Sequence, residues 1–394
     1  MGFNYFYSIA MKNNRFDYII CGGGSSGLLL LKELLADPYF ENYQIALIEK
    51  EVKNSNDRTW CFWENQSSDF EDLLVTQWTK ARFDSSSHSL EFSLAPYTYK
   101  MLRAEPFYRA LYDSFSKFKQ ITLITAEIKS LNTFSDYTEV NTDKGTFISK
   151  FVLNSVFDPN ILLNQKKYPV LQQHFVGWFV TTSTPCFDKN SIQFMDFSIP
   201  QLNETRFMYM LPISKTHALF EYTLFSAEKL AIEEYEQGIE FYLKRLGIST
   251  YQIEEKEYGS IPMTCFPFEK QNSPSLLHIG TAGGWTKAST GFTFKNTTRQ
   301  VKKLVPFLKT HKPLNKFSSR NRFYYYDLLF LDVLFNYNAK GSELFERMFT
   351  KNSPQQIFRF LDEQTHFGEE LKILSSYSLT QISWFLKALM KRLF

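Results

Sequence analysis

No two of the four cysteines in this 394-residue chain (Cys21, Cys61, Cys186 and Cys265) stand at CxxC or metal-ligand spacing. That argues against a disulfide framework and a zinc site, and it suits a reducing compartment. Net charge is equally scarce. At +3 it is too small to point to nucleic acid. No uncharged apolar run reaches about 18 residues, so no spanning helix is expected. Met1 to Arg15 has neither a basic start nor a long apolar core, so no signal peptide is expected there. Met1-Gly2 lacks the Ser or Thr of a myristoylation signal, and Met11 is a second candidate start. Internal repeats and low-complexity segments are absent too.

Aromatic residues, by contrast, are abundant. The chain holds 40 Phe, 22 Tyr and 6 Trp, 17% in all. Codon bias accounts for such an excess, and so does a binding cavity walled with aromatic faces; the two are compatible. With 44% hydrophobic and 22% charged residues the chain is globular, and it is long enough for two or three packed units or one core with an inserted domain.

The first chemical signal is Gly22-Gly23-Gly24-Ser25-Ser26-Gly27. It follows the β-rich run Phe16 to Cys21 and precedes a helix over Leu28 to Ala36 and a strand over Gln44 to Glu49. This is a βαβ unit carrying G-x-G-x-x-G with an acid about 20 residues further on. Gly22 permits the tight turn, Gly24 lets the backbone approach a pyrophosphate, and Gly27 lets helix and strand pack closely. Glu49 is the expected acceptor for the ribose hydroxyls.

Further along, Pro106 to Lys117 reads as a helix. Ile121 to Phe157 alternates β-rich runs with turns at Ser135-Asp136 and Asp143-Lys144-Gly145, a meander. Leu171 to Tyr258 mixes strands with one helix over Ala227 to Leu246. From Phe317 the periodicity is helical. We expect an α/β fold, with a Rossmann-like FAD-binding domain of the two-dinucleotide-contact type. Its parts are 16–165 and 258–312, with a β-rich substrate insertion at 166–257 and a helical C-terminal region at 313–394.

The FAD expectation rests on a second glycine cluster, Gly280 to Phe292 (GTAGGWTKASTGF). It sits between the apolar run Leu276 to Ile279 and a helical stretch over Lys295 to Lys309. A strand, a glycine-dense turn and a helix N-terminus aim backbone N–H groups at an anion or a flat ring. Gly280, Gly283, Gly284 and Gly291 are the expected contacts on the flavin side, with Lys287 placed for an anionic flavin. Arg58 is a candidate flavin or phosphate contact, or else a solvated surface arginine.

This stretch resembles the hallmark of the lycopene cyclases, the bacterial lycopene β-cyclases in particular. Other segments agree in order: Asn56 to Glu64 (NDRTWCFWE), Gln173 to Trp178, Met195-Asp196-Phe197, Phe207 to Ser226, Tyr258 to Met263, and Phe358 to Glu363. The resemblance covers nearly the whole chain from Phe16. It implies reduced FAD, a nicotinamide nucleotide, NAD(P)H, as the electron source, and a redox-neutral reaction that closes the ψ end groups of lycopene into β-rings through γ-carotene. An acid protonates the terminal double bond, the next double bond attacks the cation, and a ring proton leaves.

Such an acid must be protonated at neutral pH, which an apolar pocket favours. Glu221, in Leu219-Phe220-Glu221-Tyr222-Thr223, is the candidate, with a salt-bridged strand residue as the plain alternative. The family often has two consecutive acids followed by Thr, and Tyr222 stands where the second would be. The ring proton could return to Glu221, to the flavin or to Asp196. Trp60, Trp63, Trp178 and Trp285 are candidate walls or ordinary core residues, since aromatic faces attract cations by roughly 0.5–2 kcal/mol each. His174 either orients a carboxyl group or is a satisfied core histidine.

The substrate expected from the resemblance lives in a bilayer. Leu379 to Phe394 repeats apolar residues at helical spacing (Ile382, Phe385, Leu386, Leu389, Met390, Leu393), with Lys387, Lys391 and Arg392 on or near the other face. Such a helix can lie on a membrane surface or pack on the protein's own core. The expected location is cytoplasmic, on the inner face of the cell membrane. The rivals are another FAD enzyme of the same fold, such as a monooxygenase or isoprenoid reductase, and a flavoprotein without turnover.

Overall fold

The computed structural model describes residues 14–318 and 320–393, so Met1-Gly2, Met11 and most of the stretch searched for a signal lie outside the described residues. The chain enters through β1 (Arg15–Cys21), α1 (Ser25–Ala36) and β2 (Ile45–Glu49), the expected βαβ unit. Next come β3 (Thr59–Glu64), β4 (Leu74–Trp78), β5 (Lys80–Asp84), β6 (Ser89–Ser93), β7 (Thr98–Arg103) and α2 (Ala104–Phe115). β8 (Ile121–Thr125) precedes the meander of β9 (Ile128–Thr133), β10 (Thr138–Thr142) and β11 (Gly145–Asn154). After the short α3 (Asn160–Leu163) come β12 (Leu171–Thr181), β13 (Ser191–Asp196), β14 (Thr205–Pro212) and β15 (His217–Ser226). Helix α4 (Ile232–Arg245) and β16 (Gln252–Met263) follow, then β17 (Leu276–His278) and α5 (Phe294–Leu308). The C-terminal region is helical, as expected: α6 (Phe323–Asn336), α7 (Gly341–Lys351), α8 (Pro354–Leu361), α9 (Phe367–Ser375) and α10 (Leu379–Leu393).

The first sheet has the order β8-β2-β1-β11-β10-β9, with β17 also on β11. β8, β2, β1, β11 and β17 run parallel. β2 is buried at every position, the continuous apolar pattern of a strand covered on both faces. α1 and α5 share one face of this core, where Leu28, Leu31, Val301 and Leu304 are fully buried. β17 pairs with the end of β11, Val152↔Leu276 to Asn154↔His278. That pairing brings the second glycine cluster beside the first, although about 250 residues separate them in sequence.

The second sheet has the order β16-β12-β15-β14-β13-β5-β6. Its outer edge is built from residues 80–93, and β16 runs on to Met263, so the substrate layer is wider than the continuous insertion expected at 166–257. β15 shows why it can serve two cores. Leu219 and Phe225 face the core shared with α6, α7 and α8, while Phe220, Tyr222 and Leu224 face α4. A small sheet, β3-β7-β4, packs into both cores, with Phe62 and Leu102 in the first and Trp63, Tyr99 and Met101 in the second.

Candidate active site

A cavity of about 1220 Å³ runs from the first glycine cluster to the face of the second sheet, above the roughly 300–1,000 Å³ of ordinary ligand pockets. At one end Gly22, Gly24 and Ser25 line it with Glu49. Gly22 has φ +96°, the left-handed region that glycine alone enters without strain. A Cβ on Gly27 would lie 2.0 Å from the Gly22 carbonyl oxygen, so only glycine lets α1 pack this closely. A Cβ on Gly24 would meet nothing within 4 Å, which leaves its backbone open to the cavity. No side chain caps α1, so its first N–H groups are available to an anion. Glu49 is buried at the end of β2 and accepts from the Gly23 N–H at 2.5 Å and the Lys50 N–H at 2.9 Å.

The second cluster abuts the first: a Cβ on Gly280 (φ +59°) would lie 2.1 Å from Ser26 Oγ. Gly283 turns tightly against the His278 carbonyl, and Gly284 ends the turn in the left-handed conformation. Gly291 (φ +75°) lines the cavity, where a Cβ would collide with Gln173 Oε1. Gln173 Oε1 and Thr290 Oγ1, both buried and both on residues lining the cavity, have no hydrogen-bond partner among the described residues. Such orphaned groups are costly unless a ligand completes them. An open backbone cradle at one end and unpartnered polar atoms at the other fit a dinucleotide laid along both clusters.

Arg58 is exposed on the cavity wall, and its Nη1 donates to the Asp57 carbonyl at 2.7 Å. Lys287 departs from expectation. Its Nζ is buried between Asp327 (2.9 Å) and Glu363 (3.3 Å), and it does not line the large cavity. Burial alone would lower its proton affinity, but the two carboxylates outweigh this and hold it above its ordinary value. Lys287 therefore anchors the glycine loop to α6 and to the turn after α8, and a charge so engaged is not free for an anionic ring.

At the other end of the cavity, Glu221 projects from β15 among Cys61, Tyr99, Tyr209, Leu211 and Leu219. Burial, then the neighbouring Glu257, push its proton affinity well above that of an ordinary carboxyl group. The alternation of β15 sends the next residue, Tyr222, to the opposite face, where its ring packs on Gly238 of α4. Position 222 therefore has no access to the cavity. The second carboxyl group of this site is Glu257 of β16, which sequence reasoning missed. The available signal was the acidic run Glu254, Glu255, Glu257 directly before Tyr258.

Other candidates resolve plainly. Trp60 lines the cavity and packs on Phe294 with centroids 5.2 Å apart, while Trp63, Trp178 and Trp285 are buried core residues. His174 is buried, bonded to Ser226 (2.7 Å) and Tyr235 (2.6 Å), and burial lowers its pKa to about 4. Asp196 is engaged by Arg245 (2.6 Å) and Tyr242 (2.9 Å) away from the cavity lining, so, against expectation, it is not placed to accept a proton in the cavity. In α10, Ile382 and Phe385 pack on the protein with Trp384, while Leu386, Leu389, Met390 and Leu393 face outward. No helix among the described residues is long and apolar enough to cross a membrane.

The fold recurs widely. A geranylgeranyl bacteriochlorophyll reductase-like protein from Thermoplasma acidophilum superposes with TM-score 0.61 at 10% identity, over 95% of this chain and 99% of its own. A flavoprotein/dehydrogenase from Cytophaga hutchinsonii gives 0.57 at 12% identity, over 88% and 92%. A variant of halogenase PltM in complex with FAD gives 0.56 at 11%, over 96% and 91%. At such identities the likeness establishes the fold alone. A comparison with curated proteins finds no match. The sequence model of the lycopene cyclase proteins, however, matches residues 17–386, nearly the whole chain, and the protein belongs to that family.

Proposed function

We propose that this protein is a lycopene β-cyclase, an isomerase that closes the ψ end groups of lycopene to β-rings with FAD bound along the two glycine clusters. The observation that carries the reading is the continuity of one cavity from those clusters to the raised-affinity carboxyl group of Glu221. Gly22, Gly24, Gly27 and Glu49 hold the nucleotide end of the cofactor. Gly280, Gly283, Gly284 and Gly291 shape the turn against its other end, and Arg58 approaches from the wall. In its reduced form, with NAD(P)H as electron source, the bound cofactor supplies negative charge beside a cationic substrate.

The remaining steps belong to side chains. Glu221 delivers its proton to the terminal double bond, which requires only that the proton be present at neutral pH and aimed into the cavity. Tyr99, Tyr209 and Trp60 offer aromatic faces to the cation, each contributing roughly 0.5–2 kcal/mol. Leu211, Leu219 and Ile261 keep the site dry, since water would trap the cation as an alcohol. The outward apolar face of α10, with Lys387 and Lys391, suits contact with an anionic membrane surface from which a carotenoid is drawn. Such contact corresponds to a cytoplasmic protein held peripherally on the inner face of the membrane.

Purified protein incubated without oxygen with FAD, NADPH and lycopene is expected to yield γ- and β-carotene with only catalytic NADPH consumption. Recovery of unaltered lycopene sinks the reading. Stoichiometric NADPH loss transfers the protein to the flavin-dependent isoprenoid oxidoreductases.

A further inference from the structure

We propose that Glu221 and Glu257 form a carboxyl pair that shares one proton across Gly177, with Glu257 as the positioning residue for Glu221. The pairing itself is argued from the fold; what its proton does rests on the function proposed above.

The two glutamates stand on different strands, β15 and β16, with β12 between them. In the register, Gly177 of β12 is opposite Glu221 on one side and Glu257 on the other. Two strand spacings separate their backbones by roughly 10 Å, so the side chains meet only by leaning over the middle strand. Glycine at 177 allows this: a Cβ there would lie 2.9 Å from Glu257 Cγ and 3.1 Å from Glu221 Cγ. Any other residue would drive a wedge between the two acids.

The hydrogen bonding of Glu257 is half complete. Oε2 accepts from the Thr59 hydroxyl at 2.6 Å, whereas the buried Oε1 has no donor among the described residues. A buried carboxylate oxygen left bare is expensive. A proton on Glu221 supplies the missing donor. The other titratable groups that face the pair are Cys61 from β3, Tyr99 from β7 and Tyr209 from β14, all held neutral by burial. Arg103, the positive charge that also reaches Cys61, is paired with Glu255 at 2.5 Å. Two carboxyl groups this close in a buried site do not both ionise, which is the physical reason for the shared proton.

The proton balance closes. The O–H bond of Glu221 breaks as the π pair of the terminal double bond forms a C–H bond at its inner carbon, which leaves a tertiary cation facing two carboxylates; the π pair of the next double bond then forms the ring C–C bond and moves the cation into the ring. Later a ring C–H bond breaks, its electrons become the ring double bond, and the proton re-forms the O–H bond of the pair. No electron leaves the substrate, and the pair ends with the one proton it started with.

The test is an infrared titration of the full-length, FAD-loaded protein, read as the difference from Glu221→Gln, beside the pH profile of lycopene cyclisation. The wild type is expected to keep one carboxylic acid band at neutral pH that Glu221→Gln lacks. In Glu257→Gln the negative neighbour is gone, so the proton affinity of Glu221 should fall at least tenfold, and the basic limb of the cyclisation profile should move down with it. Gly177→Ala leaves both acids in place and should also lower the midpoint by separating them. An unchanged midpoint in both folded variants overturns the pairing. A protein that shows the shared band and its shift yet leaves lycopene intact overturns the cyclase reading instead.

Discussion

The two ends of the cavity are built by opposite means. The nucleotide end is local: strand, turn, helix and ribose acid follow one another from Arg15 to Glu49. The acid end is assembled from Thr59, Gly177, Glu221 and Glu257, on four strands of two sheets. A local motif fixes its geometry through backbone turns that only glycine can make. A dispersed site depends on strand register, where a slip of one residue would turn Glu221 toward α4 and Tyr222 toward the cavity. The first glycine cluster is therefore expected to tolerate changes in the side chains around it that the acid end does not.

Glu221→Gln should separate the ends most sharply. The amide keeps size and polarity but carries no acidic proton, so cyclisation should fall by about 10²–10⁴-fold or more. FAD affinity, followed by fluorescence quenching, should stay at the wild-type value. Retained turnover would remove Glu221 from the acid's role.

Next in size is Lys287→Met, which attacks the cofactor end from behind. It strands Asp327, buried and bonded to Ser289 at 2.8 Å, without its cation. Breaking a buried pair costs roughly 3–5 kcal/mol. Urea denaturation should show that loss, with weaker FAD binding because the loop from Gly284 to Gly291 loses its anchor. Normal stability would mean that Asp327 is held by other groups. If stability falls while FAD binding is untouched, the loop keeps its shape without the ion pair.

These contrasts explain what the sequence could reveal. Gly22, Gly24, Gly27 and Glu49 were legible because their contacts lie within one short unit whose periodicity changes from strand to helix. The helical C-terminal region and the β9–β11 part of the meander were legible on the same ground, whereas β8, expected to open that meander, runs parallel to β2 at the far edge of the sheet. Glu257 was not, because nothing in a linear sequence states which strand lies beside β12 or in what register. Lys287 misled for a related reason. Its place among glycines suggests an anion site, yet the turn directs its side chain toward α6, and Asp327 and Glu363 had no visible link to it. Residues 80–93 joined the second sheet unannounced, since strand pairing at that distance leaves no local trace.

The smallest effect concerns His174, which is buried behind the acid end on β12 and settles whether that wall is neutral. Its neighbours fix the tautomer. Ser226 spends its hydroxyl proton on the Glu228 carbonyl at 2.6 Å and so accepts from Nε2–H, while the Tyr235 hydroxyl accepts from the Leu230 N–H and donates to Nδ1. A second ring proton would have to displace the Tyr235 hydroxyl's donation to Nδ1. Burial first, then Lys229, lowers the pKa from 6.5 to about 4. Between those values the unfolded chain binds a proton that the folded protein refuses. Stability from this group is therefore complete above the unfolded pKa and drains away as pH falls toward the folded one. From about pH 7 to about pH 5 the loss should be about 2 kcal/mol. Urea denaturation at the two pH values should show this loss in the wild type, and His174→Gln should lack that share of it. Equal pH dependence in the two proteins would mean that His174 binds its proton as readily in the folded protein as in the unfolded chain, so that the wall behind Glu221 gains a positive charge only as pH falls below about 6.5.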